Sequence, residues 1–111
     1  MESILTSIKK LLGITEEYEH FDDDIIMHIN TVFFDLTQLG VGPKEGFNIS
    51  GSEFVWTDFT DIDKVAAVKS YMYLRVRLLF DPPLNSSVIA SMERTIAELE
   101  WRLNVAVDPA T

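Results

Sequence analysis

From Asp61 to Phe80 the chain reads DIDKVAAVKSYMYLRVRLLF and then meets Asp81-Pro82-Pro83. Val65, Val68, Met72, Val76 and Leu79 recur at helical spacing, and Ala66, Tyr73, Leu74 and Phe80 widen the apolar stripe beyond a single seam. A helix this apolar belongs in the middle of a fold, with other elements on more than one side. Two consecutive prolines offer no backbone N–H and push Asp81 out of the α region, so the helix must end at or near Phe80. Whatever follows is forced into a tight reversal.

The remaining segments fit around that element. Ile4, Leu5, Ile8, Leu11 and Leu12 fall on one side of a short amphipathic helix, with Ser3, Ser7, Lys9 and Lys10 expected mostly on the other, and Gly13 suits the position after its end. A polar link, residues 14–20, leads to Asp22-Asp23-Asp24 and a second helix carrying Ile25, Ile26, Ile29, Val32, Phe33, Leu36 and Leu39, closed by Gly40. Asn85, Ser86 and Ser87 supply N-cap residues for a last helix. Its seam of Ile89, Met92, Ile96, Leu99 and Leu103 leaves Glu93, Arg94, Glu98, Glu100 and Arg102 outside. Helices joined by so short a link pack antiparallel.

The segment GVGPKEGFNISGSEFVWTDFT, residues 40–60, breaks the helical pattern with four glycines in Gly40, Gly42, Gly46 and Gly51, yet carries Phe47, Ile49, Phe54, Val55, Trp56 and Phe59. It is too long for an ordinary connection and too apolar for a disordered linker. Its pattern predicts a β-hairpin, Phe47 to Ser50 against Glu53 to Trp56, turning at Ser50-Gly51-Ser52. Trp56 and Phe59 then either cover the helical core or project toward another chain. The expected fold class is all-α: about four helices with a hairpin-like aromatic insert between the second and third. Residues 1–105 are expected to form one domain, and residues 106–111, with Pro109, a flexible tail. At 111 residues the chain is long enough for one core, burying about two thirds of its unfolded surface.

Chemistry is sparse. With no cysteine there is no disulfide, thiolate site or cysteine nucleophile. The three consecutive aspartates lack calcium-loop spacing and read as an N-cap and first turn, where carboxylates meet orphan N–H groups and the positive helix end. His28 sits four residues from Asp24 on a polar face, and His20 shares no ligand spacing with it. No P-loop, GxGxxG, GxSxG or base-plus-orienter pair is present, so neither catalysis nor a cofactor or metal is expected. Eighteen acidic against nine basic residues, a net charge of −9, oppose phosphate-neutralising nucleic-acid binding. The N-terminal stretch lacks a signal-peptide pattern and no window has a membrane-spanning length, so a soluble cytosolic protein is expected, a class that includes viral proteins made in a host cytoplasm.

Arg75 and Arg77 interrupt the most apolar helix about 200° apart. One is expected to pair within the fold and the other to be exposed or at a subunit contact. Trp101 lies off the last helix's seam, either beside the core or as a contact residue.

Taken together, an N-terminal helix ending LLGI, FDDDIIMHINTVFFDLTQLGVGP, an insert with FVW, VKSYMYLRVRLLFDPP and SMERTIAELEWRLNV resemble the head-tail connector proteins of tailed bacteriophages, over roughly residues 3–105. Lys69, Tyr71, Tyr73 and Leu74, the LFDPP helix stop and the ELEWRL run carry the resemblance best. The resemblance implies a virion protein at the head-tail junction that assembles as a ring on the portal after packaging and presents a docking surface to a stopper or tail-completion protein. Double-stranded DNA would cross its channel without specific binding, and no membrane is involved. On that view the contact positions are Phe54, Trp56, Phe59, one of Arg75 and Arg77, Trp101, and the tail from Asn104 through Val105 and Val107. Two alternatives share the acidic helical pattern: a DNA-mimicking inhibitor, and a small helical interaction or regulatory module.

Overall fold

A computed structural model describes residues 2–106. Among them the chain forms α1 (Ile4–Leu11), α2 (Asp22–Gln38), α3 (Trp56–Phe59), a 3-10 turn (Ile62–Lys64), α4 (Val65–Phe80) and α5 (Ser86–Val105). The extents of 44 × 35 × 20 Å leave room for two helix layers in the thin direction. α4 lies between α2 and α5 and also touches α1 and α3.

Each boundary has a local cause. Ser3 caps α1, its Oγ accepting from the Thr6 N–H. Gly13 and Gly40 adopt positive φ just past α1 and α2, where a side chain would be strained. α4 ends at Phe80, and Asp81 leaves the helical region at φ −149°, ψ 71°, as the prolines require. Asn85 caps α5, its Oδ1 accepting from the Ser87 and Val88 N–H groups. The first turn of α2 does hold Asp22, Asp23 and Asp24, but the N-cap is Phe21 and no side chain caps it. The aspartates therefore act through the helix dipole, not as the expected cap.

The antiparallel reversal is present. Tyr71 on α4 and Glu100 on α5, each more than two turns from the Asp81–Asn85 link, are hydrogen-bonded. α2 also runs antiparallel to α4: Phe21, ahead of α2, meets Phe80 at the end of α4 with ring centroids 5.3 Å apart, while Asp35 near the end of α2 reaches Arg75. The core gathers Ile4, Ile8, Ile25, Ile29, Phe33, Leu36, Val68, Met72 and Val76 from three helices. From α5 only Ile96 and Leu103 are buried, so that helix packs on the rest along a shallow seam.

The expected hairpin does not form; no strands occur among the described residues. Its two edges are claimed by other partners. The Asn30 amide on α2 acts as a strand neighbour for Ile49, accepting from its N–H at 2.8 Å and donating to its carbonyl at 3.0 Å. Phe54 and Val55 pair instead with the start of the chain, through an antiparallel bridge from Val55 to Ser3 and a 2.9 Å bond from Ile4 N–H to the Phe54 carbonyl. The chain then enters α3, where the Asp58 carboxylate accepts from the Val55 N–H.

That arrangement corrects the expected polarity of α1. Ser7 and Lys9, placed on a polar face by their chemistry, are both buried, because residues 47–59 and the 14–22 link cover the side away from the helical core. The Ser7 hydroxyl accepts from the Trp56 indole N–H at 2.9 Å and donates to the Ile4 carbonyl. Lys9 Nζ donates to the Glu16 carbonyl at 3.0 Å and lies 2.8 Å from Asp22 Oδ1. Burying a polar group costs free energy unless it is partnered, and Ser7 and Lys9 both are.

Candidate subunit interface

Two polar arrangements among the described residues join or line several segments of the chain. The first spans three helices. Arg75 on α4 donates to Asp35 on α2 at 2.6 Å and to the Tyr71 hydroxyl at 2.6 Å, and that hydroxyl donates to Glu100 on α5 at 2.7 Å. Burial of the ring, reinforced by the bond to Glu100, pushes the Tyr71 phenol up to about 12. Burial opposes the Arg75 charge, but the bonds to Asp35 and Tyr71 outweigh it and move the guanidinium upward. Both protons are thus held more firmly than in water, which suits a clamp and does not suit proton transfer.

The second is a cleft of about 570 Å³ over α1, lined by Glu16, Glu19, Asp22, Asp23 and Glu53 with Lys9 at its base. Its carboxylates are spread over separate segments, and no group of His, Cys, Asp or Glu among the described residues could hold a metal ion. His28 packs against Phe80 at 6.4 Å instead of pairing with Asp24, and His20 stands edge-on to Phe21 at 4.8 Å.

The contact residues expected from the sequence fall into three groups. Trp56 and Phe59 are core residues of the subunit, 1% and 3% exposed, and Phe54 is half-buried beside Phe47. Trp56 and Phe59, enclosed in the interior, offer little surface of their own in this fold. Of the two arginines, Arg75 is the one paired inside the fold; Arg77 has no ion-pair partner among the described residues, and its Nε is buried without an acceptor. Trp101 is 67% exposed, and Asn104 and Val105 are exposed beside it, although Asn104 also donates to the Leu39 carbonyl. Val107 lies outside the described residues.

Met27 and Phe34 were not anticipated. They sit seven residues apart on the outer face of α2 and are more than half exposed. A signal existed in the Phe33-Phe34 pair: adjacent helical residues diverge by about 100°, so both cannot enter one core. Leu84, in the link before α5, is fully exposed, and Ile62, ahead of α4, is two-thirds exposed. The molecule therefore completes its interior and still displays large apolar side chains on its outer elements, where a partner would cover them.

A family model described as phage connector protein matches residues 4–110. The chain belongs to that family. The match takes in every helix described above, so the clamp across three helices, the LFDPP stop and the exposed outer faces are features of a connector subunit. The family is one of structural proteins, which agrees with a site set that holds charges in place and presents surface. Neither the curated proteins nor the solved structures compared with the chain gave a match. Among the described residues no helix is long and apolar enough to cross a membrane.

Proposed function

We propose that this connector closes as a ring on the portal at the capsid vertex after DNA packaging and there provides the docking surface for a stopper or tail-completion protein. The observation that carries the reading is the surplus of exposed apolar side chains, with Phe34 63% and Trp101 67% exposed, on a subunit whose core is already complete. Surfaces of that kind on separate helices suit one heterologous contact repeated from copy to copy, which closes into a ring when the rotation allows. The net charge of −9 suits a channel that DNA crosses without adhering.

The C-terminal residues after Ala106 are assigned the portal contact. A pull-down with the portal protein of the same phage tests both assignments. The full chain should be retained, whereas a chain truncated after Ala106 should keep its circular dichroism spectrum and lose retention. Equal retention of the two chains overturns the tail assignment, and no retention of either overturns the proposed docking on the portal.

A further inference from the structure

We infer that the outer face of α2 around Phe34 receives the outer face of α5 around Trp101 from the next copy, with the two helices parallel; this rests on the ring reading above and names its repeating contact. The two faces are the unpartnered ones. On α2 the buried residues Ile25, Ile29, Val32, Phe33 and Leu36 leave Met27, Thr31 and Phe34 pointing away. On α5 the seam through Ile96 and Leu103 leaves Arg94, Trp101 and Val105 pointing away. α4 packs against both helices, and each of these faces is turned away from the buried side of its own helix.

Direction and height both match. α2 and α5 are each antiparallel to α4 and hence parallel to each other, and rotation about an axis along the helices preserves that direction from copy to copy. Two ties fix their relative height: Asn104 bonds the Leu39 carbonyl, and Asp35 connects to Glu100 through Arg75 and Tyr71. In both ties the α5 residue lies 65 positions after the α2 residue. Phe34 is therefore level with Leu99, two residues or about 3 Å below Trp101. A closed ring permits no rise between copies, so a patch and its receptor must share one height. These two do.

Charge agrees with a second copy as the occupant. Copies that each carry a net charge of −9 repel, and a contact between them is helped by a cation facing an acidic stretch. Arg94 has no ion-pair partner among the described residues and is level with Ile29, where its side chain extends toward Asp23 and Asp24 of the neighbour's α2.

The absence of cysteine makes the test direct. Thr31→Cys and Ala97→Cys introduce single thiols at exposed positions that leave Phe34 and Trp101 in place and differ in height by one residue. Each single variant and the double variant are assembled with the portal protein, imaged by electron microscopy and treated with a short bis-maleimide. The double variant should give a ladder of covalent multimers, and each single variant only monomers. Rings without a ladder, or self-linking of either single variant, overturn this contact and leave the ring reading standing. No rings with the wild-type chain overturns both.

Discussion

Lys9 and Asp22 give an unequal pair of substitutions. Lys9 is 2% exposed and Asp22 23% exposed, and their charged atoms are 2.8 Å apart. Asp22→Asn leaves an enclosed ammonium with neutral acceptors only, the Glu16 carbonyl and the amide oxygen, and no countercharge. Breaking a buried pair from one side costs about 3–5 kcal/mol, and since water reaches Asp22 the lower end applies, about 3 kcal/mol. Lys9→Met removes the charge but keeps most of the stem volume. Asp22 then remains partly hydrated in the first turn of α2, where the helix dipole favours it by about 0.3–1 kcal/mol, so a cost of about 1 kcal/mol is expected. For a domain of this size 1 kcal/mol shifts Tm by about 4–8 °C, which separates the two variants by about 8–16 °C. Thermal unfolding followed by circular dichroism at pH 7 reads the difference. If Lys9→Met proved the more damaging, or the two melted together, the assignment of Lys9 as a charge kept buried by Asp22 would be wrong.

Other substitutions test separate parts of the structure. A Cβ on Gly42 would stand 2.3 Å from Phe59 Cε1 at a φ of +85°, whereas one on Gly46, at φ +94°, meets no atom within 4 Å; urea titration should find Gly42→Ala more destabilising than Gly46→Ala, which costs only about 1 kcal/mol. Tyr71 holds its proton up to about 12 when folded, above the unfolded value near 10, so it contributes stability that is complete below pH 10 and is lost as pH rises through about 12. Tyr71→Phe should flatten the fall in stability over that window, and an unchanged alkaline profile would contradict the clamp. Trp56→Ala should cost about 3–5 kcal/mol in subunit stability while Trp101→Ala leaves Tm within a degree or two, since only the first is enclosed; a Trp101 variant that melts early would mean that α5 packs more deeply than described.

α1, α2, α4 and α5 are legible in the sequence because their apolar spacing repeats over two turns or more and their ends carry strong local signals: the double proline after Phe80, glycines after α1 and α2, and Asn85 before α5. The hairpin expected of the insert does not form because hairpin propensity is local while the hydrogen bonds of this segment are not. Ile49 was claimed by Asn30 and Phe54 by Ile4, across separations that turn chemistry does not encode. The same fact hid the burial of Ser7 and Lys9: α1 is amphipathic in sequence, yet the insert and the following link cover its polar side. For the contact surface, the opposed facing of Arg75 and Arg77 was legible, and which one paired depended on where Asp35 came to lie. Met27 and Phe34 were lost in a helix read only for its core stripe.

On the proposed function, this chain works by touching copies of itself and the portal. Electron microscopy of the purified protein mixed with the portal of the same phage measures that directly. The account predicts an added coaxial ring of density on the portal, made of many copies of this chain. A portal left bare at saturating protein, or decorated by isolated subunits without closure, would contradict it.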